Sequence, residues 1–124
     1  MAKIKQDFSL YAGEDKDIVF TITNDAGAAV DLSTALKVIW VVARLASTQQ
    51  NLITKIYEGA TLTPIISGTS NNILTISITG TETEILNGKY RHELRLVNAT
   101  SAESVLAIGQ CQVYNSLTKD LVTV

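Results

Sequence analysis

Apolar and polar residues alternate along much of this chain, and the alternation predicts β-strands. In residues 16–23, Ile18, Phe20 and Ile22 share one parity, while mostly polar residues occupy the other. The same period of two recurs in residues 73–79. Because successive side chains of a strand point to opposite faces, each segment offers one face to a core and one to water. We therefore expect antiparallel strands that are buried on one side.

Residues 36–46 break this pattern because both parities are apolar. A continuous apolar run could form a buried helix, but the β-branched residues around Trp40 favour a strand. We expect Trp40 to lie in the core. The other face then has to be covered by a local loop or by another chain, which makes three residues of that face candidate interface residues: Ile39, Val41 and Leu45.

The segment of residues 81–97 predicts a short helical turn followed by a strand. Thr81 and Glu84 have the spacing of a capping box, in which each side chain pairs with a backbone N–H at the start of a helix. We expect one helical turn at residues 81–87. Asn87 and Gly88 then supply the residue with positive φ that ends such a turn. The turn, its cap and its end are therefore predicted to organise the fold.

The strand that follows begins near Tyr90, where Tyr90, His92, Leu94 and Leu96 alternate with charged residues. A tyrosine at this place, two residues after the glycine, is similar to the tyrosine corner of immunoglobulin-like sandwiches. There the hydroxyl bonds to upstream backbone. An ordinary half-buried tyrosine is the alternative.

The remaining segments complete an all-β prediction. We expect strands at residues 5–11 and 51–57, a short strand at 61–66 that is interrupted by Pro64, and a last strand at 103–115. Gly109 in that last strand indicates a bulge or a close approach of another backbone. The fold class is an immunoglobulin-like antiparallel β-sandwich of seven to nine strands, over residues 1–115. Residues 116–124 form a β-prone tail, and its Leu121 and Val122 are candidate interface residues.

Composition suits one domain with more apolar surface than a lone sandwich needs. The chain has 124 residues, of which 46% are apolar and 18% charged, and its mean hydropathy is +0.20. No apolar run is long enough for a membrane-spanning helix, and the N-terminal residues do not form the apolar run of a signal peptide. We therefore expect the chain in a cytoplasm or in a particle assembled there. A net charge of −2 without a basic cluster argues against nucleic acid as a partner.

The residues that could carry chemistry are few. Nucleophilic catalysis needs a nucleophile, a base and an orienting group, whereas the chain has one histidine, His92, and one cysteine, Cys111. We expect a structural histidine and a small buried thiol, although a diagonal contact between the two stays open. No metal site or cofactor is predicted, and we expect a solvated acidic edge at the first turn, formed by Asp7, Glu14, Asp15 and Asp17.

Four segments carry a resemblance to a known family. They read Tyr-Ala-Gly-Glu-Asp-Lys-Asp-Ile-Val-Phe at 11–20, Asp-Ala-Gly-Ala-Ala-Val-Asp-Leu-Ser at 25–33, Lys-Val-Ile-Trp at 37–40 and Ile-Leu-Asn-Gly-Lys-Tyr-Arg-His-Glu-Leu at 85–94. The chain resembles immunoglobulin-like domains of tailed-bacteriophage virion proteins and is similar to the N-terminal domain of upper baseplate proteins. In that family the domain is a non-enzymatic building block, and the resemblance brings no catalytic residues.

The resemblance implies a virion structural protein. The coiled-coil or receptor-holding region of such baseplate proteins does not appear in this sequence, so we expect an adaptor or decoration subunit of a tail, baseplate or head. Its expected partners are other virion proteins and further copies of itself. The alternative is a carbohydrate-binding or adhesin module of the same architecture. That function would need exposed, coplanar aromatic rings, and the candidate tyrosines are scattered: Tyr11, Tyr57 and Tyr114.

Overall fold

The computed structural model describes residues 4–44 and 51–117, and these form a β-sandwich of nine strands. The predicted fold class is confirmed. Its strands and its one α-helical turn are β1 Ile4–Lys5, β2 Phe8–Tyr11, β3 Lys16–Thr21, β4 Lys37–Arg44, β5 Asn51–Glu58, β6 Ile66–Ser67, β7 Ile73–Ile78, α1 Gly80–Thr83, β8 Gly88–Val97 and β9 Glu103–Tyr114.

The strands divide into a larger and a smaller sheet. The larger sheet has the order β1-β9-β8-β4-β5, with β2 also paired to β9, and the smaller sheet has the order β3-β7-β6. In the immunoglobulin pattern, strands B and E share one sheet and strands C, F and G share the other. Here β3 and β7 take the places of B and E, and β4, β8 and β9 take the places of C, F and G. Pairing is antiparallel except that β1 and β2 run parallel to β9. The N-terminal strands therefore form one edge of the larger sheet.

The core lies between the two sheets, as the alternating pattern predicts. Trp40, Phe20 and Leu94 are fully enclosed there, and Leu32 is a buried member of the same core cluster. The predicted faces of β3, β7 and β8 are all confirmed, because their apolar parity is the buried one. No helix among the described residues is long and apolar enough to cross a membrane.

The predicted tyrosine corner is present. The hydroxyl of Tyr90 accepts a hydrogen bond from the backbone N–H of Asn87 at 2.8 Å and donates one to the Asn87 carbonyl oxygen at 3.1 Å. Gly88 has the predicted positive φ, +113°, but it does not end the helical turn, because the helix stops at Thr83 and Gly88 is the first residue of β8. Tyr90 and Gly88 therefore fix the entry into β8.

The predicted capping box at Thr81 and Glu84 is wrong by two residues. The helix starts at Gly80, and the box is made by Thr79 and Glu82. The sequence Thr-Gly-Thr-Glu-Thr-Glu contains two overlapping boxes, so local spacing did not decide between them. Contacts distant in sequence favour the earlier one, because Glu82 also pairs with Lys55 at 2.8 Å. The helical turn spans residues 80–83 in place of 81–87.

One further local prediction needs correction, and the register of β9 decides between the two alternatives predicted for Gly109. Residues 59–65 form two 3-10 turns, Gly59–Thr61 and Thr63–Ile65, where a strand had been expected from residue 61. Pro64 lies inside the second turn, where its fixed φ fits and its missing N–H costs nothing. In β9 the register shift falls at Leu106 and not at Gly109, because Leu94 pairs with Ala107 while Arg95 pairs with Val105. Leu106 and Ala107 are consequently both buried.

Candidate functional site

The outer face of the larger sheet, which points away from the smaller sheet, carries an apolar patch. Three of its members share one parity on β4, and the fourth, Ile56, lies opposite Ile39 on the neighbouring strand β5. Ile56 is 53% exposed, Ile39 and Val41 are half-buried, and Ala43 is nearly enclosed. We call this set the outer patch: Ile39, Val41, Ala43 and Ile56.

A row of charges on β8 borders the outer patch. Arg91, Glu93 and Arg95 lie on the same face and are paired in register with Ala43, Val41 and Ile39 respectively. Arg95 forms ion pairs with Glu93 at 3.6 Å and with Glu103 at 3.4 Å. These pairs are solvent-exposed, so each contributes at most about 1 kcal/mol to stability. Their alternating signs give the face little net charge but a defined pattern for a partner to match.

A surface depression of about 490 Å³ lies where β4, β8, β9 and the N-terminal strand meet. Its volume is within the range of small-molecule and side-chain pockets. Apolar side chains contribute part of its lining and charged side chains of both signs another part, so it suits an apolar group flanked by polar ones. The lining residues are Lys5, Asp7, Val41, Ala43, Arg91, His92, Glu93, Ile108, Gly109 and Gln110.

His92 is buried, and both of its ring nitrogens are engaged. Trp40 Nε1 donates to His92 Nδ1 at 3.2 Å, and His92 Nε2 donates to the carbonyl oxygen of Gln6 at 2.6 Å. This arrangement requires the neutral ring with its proton on Nε2. Burial lowers the pKa of His92 below its usual 6.5, and it outweighs the opposing effects of the Gln6 carbonyl and the Asp7 carboxylate. The burial of His92 and its two hydrogen bonds agree with the structural role predicted for it.

Gly109 lies beside this hydrogen bond, and the close approach predicted for it is confirmed. A Cβ built on Gly109 would overlap the Gln6 carbonyl oxygen and lie 2.8 Å from His92 Nε2. The backbone at Gln6 is also held by its N–H, which donates to the Ile108 carbonyl at 2.8 Å. Only glycine leaves room for the N-terminal strand to cross here. We call this group the Gln6 crossing: Gln6, Trp40, His92 and Gly109.

Cys111 is the small buried thiol that the sequence predicts. It is 2% exposed and lies opposite Tyr90, whereas His92 lies opposite Gly109. Burial raises the pKa of the Cys111 thiol to about 12, with a small opposing effect from Lys16. The thiol therefore stays protonated at neutral pH, and a protonated thiol is a weak nucleophile.

Three acidic residues near the first turn accept hydrogen bonds from residues that are distant in sequence. Asp7 accepts from the Gln110 N–H at 2.8 Å, Asp15 from the Gly80 N–H at 2.5 Å and Asp17 from the Ser77 hydroxyl at 2.6 Å. Each carboxylate thus fastens one strand or turn to another. Within residues 4–44 and 51–117, no group of three or more His, Cys, Asp or Glu side chains is placed to hold a metal ion.

Two of the three candidate sugar-stacking tyrosines form a pair. Tyr11 and Tyr114 are 57% and 47% exposed, and their ring centroids are 5.5 Å apart. Their planes are tilted by 42°, so they do not make the flat platform on which a sugar ring stacks. Tyr57 is half-buried elsewhere, on β5. This arrangement gives the carbohydrate-binding alternative no added support.

The structure brings together some of the predicted interface residues. Ile39 and Val41 lie side by side on the outer patch, while Leu45, Leu121 and Val122 fall outside the described residues. Sequence reasoning missed Ile56 and Ile108, which are 53% and 40% exposed. The strand β5 carries apolar residues on both parities, so its sequence does not mark an outer face, and placing Ile56 beside Ile39 needs the β4–β5 register.

No protein-family model matches this chain, and no curated protein matches it.

Proposed function

We propose that this chain is a non-enzymatic structural subunit of a tailed-phage particle, an adaptor or decoration protein that docks through the outer face of its larger sheet. Its neighbours in this proposal are other virion proteins and further copies of the same chain. The observation that supports it most is the outer patch, where Ile56 and its neighbours remain partly exposed on an otherwise well-filled sandwich. The sequence resemblance supplies the phage context.

The two outer faces of the sandwich differ in a way that supports docking through one of them. On the smaller sheet, the outward parity is mainly polar, with Asp17, Thr21 and Ser77 all exposed. Ser77 and Asp17 hydrogen-bond to each other at 2.6 Å and suit a solvated surface. Val19 is an isolated exposed apolar residue there, at 50% exposure. An isolated residue needs no partner, whereas the adjacent apolar residues of the other sheet benefit from one.

The outer face has the composition of a subunit contact. Covering the outer patch removes apolar surface from water, and each Å² so buried contributes about 25 cal/mol to the free energy of association. The charges of Arg91, Glu93 and Arg95 border the patch, and a partner of matching pattern would select the register without adding much affinity. A stable contact of standard size buries about 800 Å² on each partner, so it would extend past the patch over this charged border.

Two matched substitutions test the proposal. Ile56→Asp places a charge in the outer patch, and Val19→Asp places the same charge on the opposite sheet at almost equal exposure, 50% against 53%. Particles are purified from cells that produce each variant together with the remaining virion proteins. The chain in the particles is then quantified by mass spectrometry. Circular dichroism of each purified variant checks that it is folded.

We expect the Val19→Asp chain to enter particles at the level of the unaltered chain and the folded Ile56→Asp chain to be lost from them. The proposal is overturned if the unaltered chain is absent from purified particles. Docking through the outer patch is overturned if the folded Ile56→Asp chain is incorporated normally.

A further inference from the structure

The turn before β8 contains the only Asn-Gly pair of the sequence, Asn87-Gly88. Asn87 is exposed, and Gly88 has φ +113° with open space where a Cβ would lie. Glycine places no side chain beside its own backbone nitrogen and adopts conformations that other residues avoid. The Gly88 nitrogen is therefore the least hindered backbone nucleophile next to any asparagine side chain in this protein.

We propose that Asn87 is a site of spontaneous covalent modification, in which its side-chain amide is converted to a carboxylate through a cyclic imide. The Gly88 nitrogen attacks Cγ of Asn87 and loses its proton, the C–N bond of the side-chain amide breaks, and ammonia leaves. Water then opens the ring at either carbonyl. One opening gives aspartate, and the other gives isoaspartate, with the main chain running through the former side chain.

Two other asparagines, Asn24 and Asn98, have side chains that are restrained by hydrogen bonds. The Asn24 side-chain oxygen accepts from the backbone N–H groups of Ala26 and Ala28, at 2.9 and 3.0 Å. The Asn98 side-chain oxygen accepts from two backbone N–H groups and one hydroxyl. These bonds restrain the side-chain amide, and the residue that follows each asparagine carries a Cβ, unlike Gly88. Asn24 and Asn98 therefore serve as internal controls.

The tyrosine corner controls the modification at Asn87. The Tyr90 hydroxyl bridges the N–H and the carbonyl of Asn87, at 2.8 and 3.1 Å, and so restricts rotation of the backbone that ring closure requires. Conversion to isoaspartate has a consequence in return. It inserts a methylene group into the main chain beside Gly88 and turns the Asn87 carbonyl into a free carboxylate. The spacing that the hydroxyl bridges is then lost, and the corner opens.

The experiment is an ageing series at mildly alkaline pH with the full chain. The unaltered protein, Tyr90→Phe and Asn87→Ser are incubated, digested and examined by mass spectrometry, and isoaspartate is quantified by enzymatic methylation. We expect the unaltered protein to be modified at Asn87 before Asn24 or Asn98, and Tyr90→Phe to be modified at Asn87 faster. Chemical unfolding of the aged samples should show a lowered midpoint for the unaltered protein and no change for Asn87→Ser.

The site itself is tested by the unaltered protein alone, so it does not depend on the variants folding. Modification at Asn24 or Asn98 ahead of Asn87 would overturn it. An equal rate in folded Tyr90→Phe would overturn the control by the corner, and an unchanged midpoint after full conversion would overturn the structural consequence.

Discussion

Replacing Gly109 by alanine tests the Gln6 crossing, where the structure leaves the least room. The new Cβ would overlap the Gln6 carbonyl oxygen, and both the overlapped atom and its carbon belong to backbone that cannot rotate away. The N-terminal strand must therefore shift. That shift separates the Gln6 carbonyl from His92 Nε2, now 2.6 Å apart, and weakens the bond from the Gln6 N–H to Ile108.

Two effects set the size of the loss. Forcing an added methyl group into a filled site costs about 1–3 kcal/mol. Leaving the buried His92 N–H without its acceptor costs about 1–3 kcal/mol more. We expect Gly109→Ala to lower the free energy of unfolding by about 2–6 kcal/mol, which is a large part of the stability of a domain of this size.

Urea unfolding followed by tryptophan fluorescence measures this loss, because the reporter Trp40 belongs to the same hydrogen-bonded group. Gln110→Ala is the control, since Gln110 is the exposed neighbour in the strand, and we expect it to change stability by less than about 0.5 kcal/mol. Amide hydrogen exchange locates the damage, with loss of protection expected first at Gln6. A Gly109→Ala protein as stable as the Gln110→Ala control would refute the reasoning.

Three further predictions follow from the described contacts. Burial lowers the pKa of His92 in the folded protein, so the unfolded chain takes up the proton at a higher pH, and the free energy of unfolding should fall as pH drops below about 6.5. His92→Gln should flatten this part of the plot of unfolding free energy against pH. An unchanged slope would mean that other groups cause the pH dependence. Thr79→Ala should cost about 0.5–2 kcal/mol as the true helix cap, while Thr81→Ala should cost little; equal losses in thermal unfolding would contradict this assignment. Tyr90→Phe should cost about 0.5–1.5 kcal/mol through its lost hydroxyl bonds, and an unshifted midpoint would mean that water replaces them fully.

Local sequence patterns predicted the sandwich because its strands obey their own alternation. Residues 16–21 and 88–97 bury the parity that the sequence marks as apolar, whatever their partners are. The tyrosine corner was also predictable, since Tyr90 bonds to a residue only three positions away. Features that depend on distant contacts were not. The choice of Thr79 over Thr81 depends on Lys55, and the Gln6 crossing joins residues 86 positions apart.

The candidate surface was predicted in part for the same reason. Ile39 and Val41 stood out because their strand is apolar on both faces, which is a local signal. The neighbours that extend the surface come from other strands, and only the register shows that Ile56 and Ile39 are adjacent. A surface assembled across strands therefore appears in the sequence as unrelated single residues.

Three of the four sheet edges, at β5, β3 and β6, are poorer sites for association than the outer face of the larger sheet. The strand β5 is an edge strand of the larger sheet, and its Lys55 points to the core side and pairs with Glu82. A strand added at this edge would bury the charge of Lys55. On β3, the Gln6 side chain already donates to the free carbonyl of Val19 at 2.8 Å. The opposite edge of that sheet, β6, has two residues. Strand addition would have to break or bury these groups, whereas a partner on the outer patch covers apolar surface that is already exposed. The proposed association should accordingly be sensitive to outer-patch side chains such as Ile56 and insensitive to the backbone of these three edges.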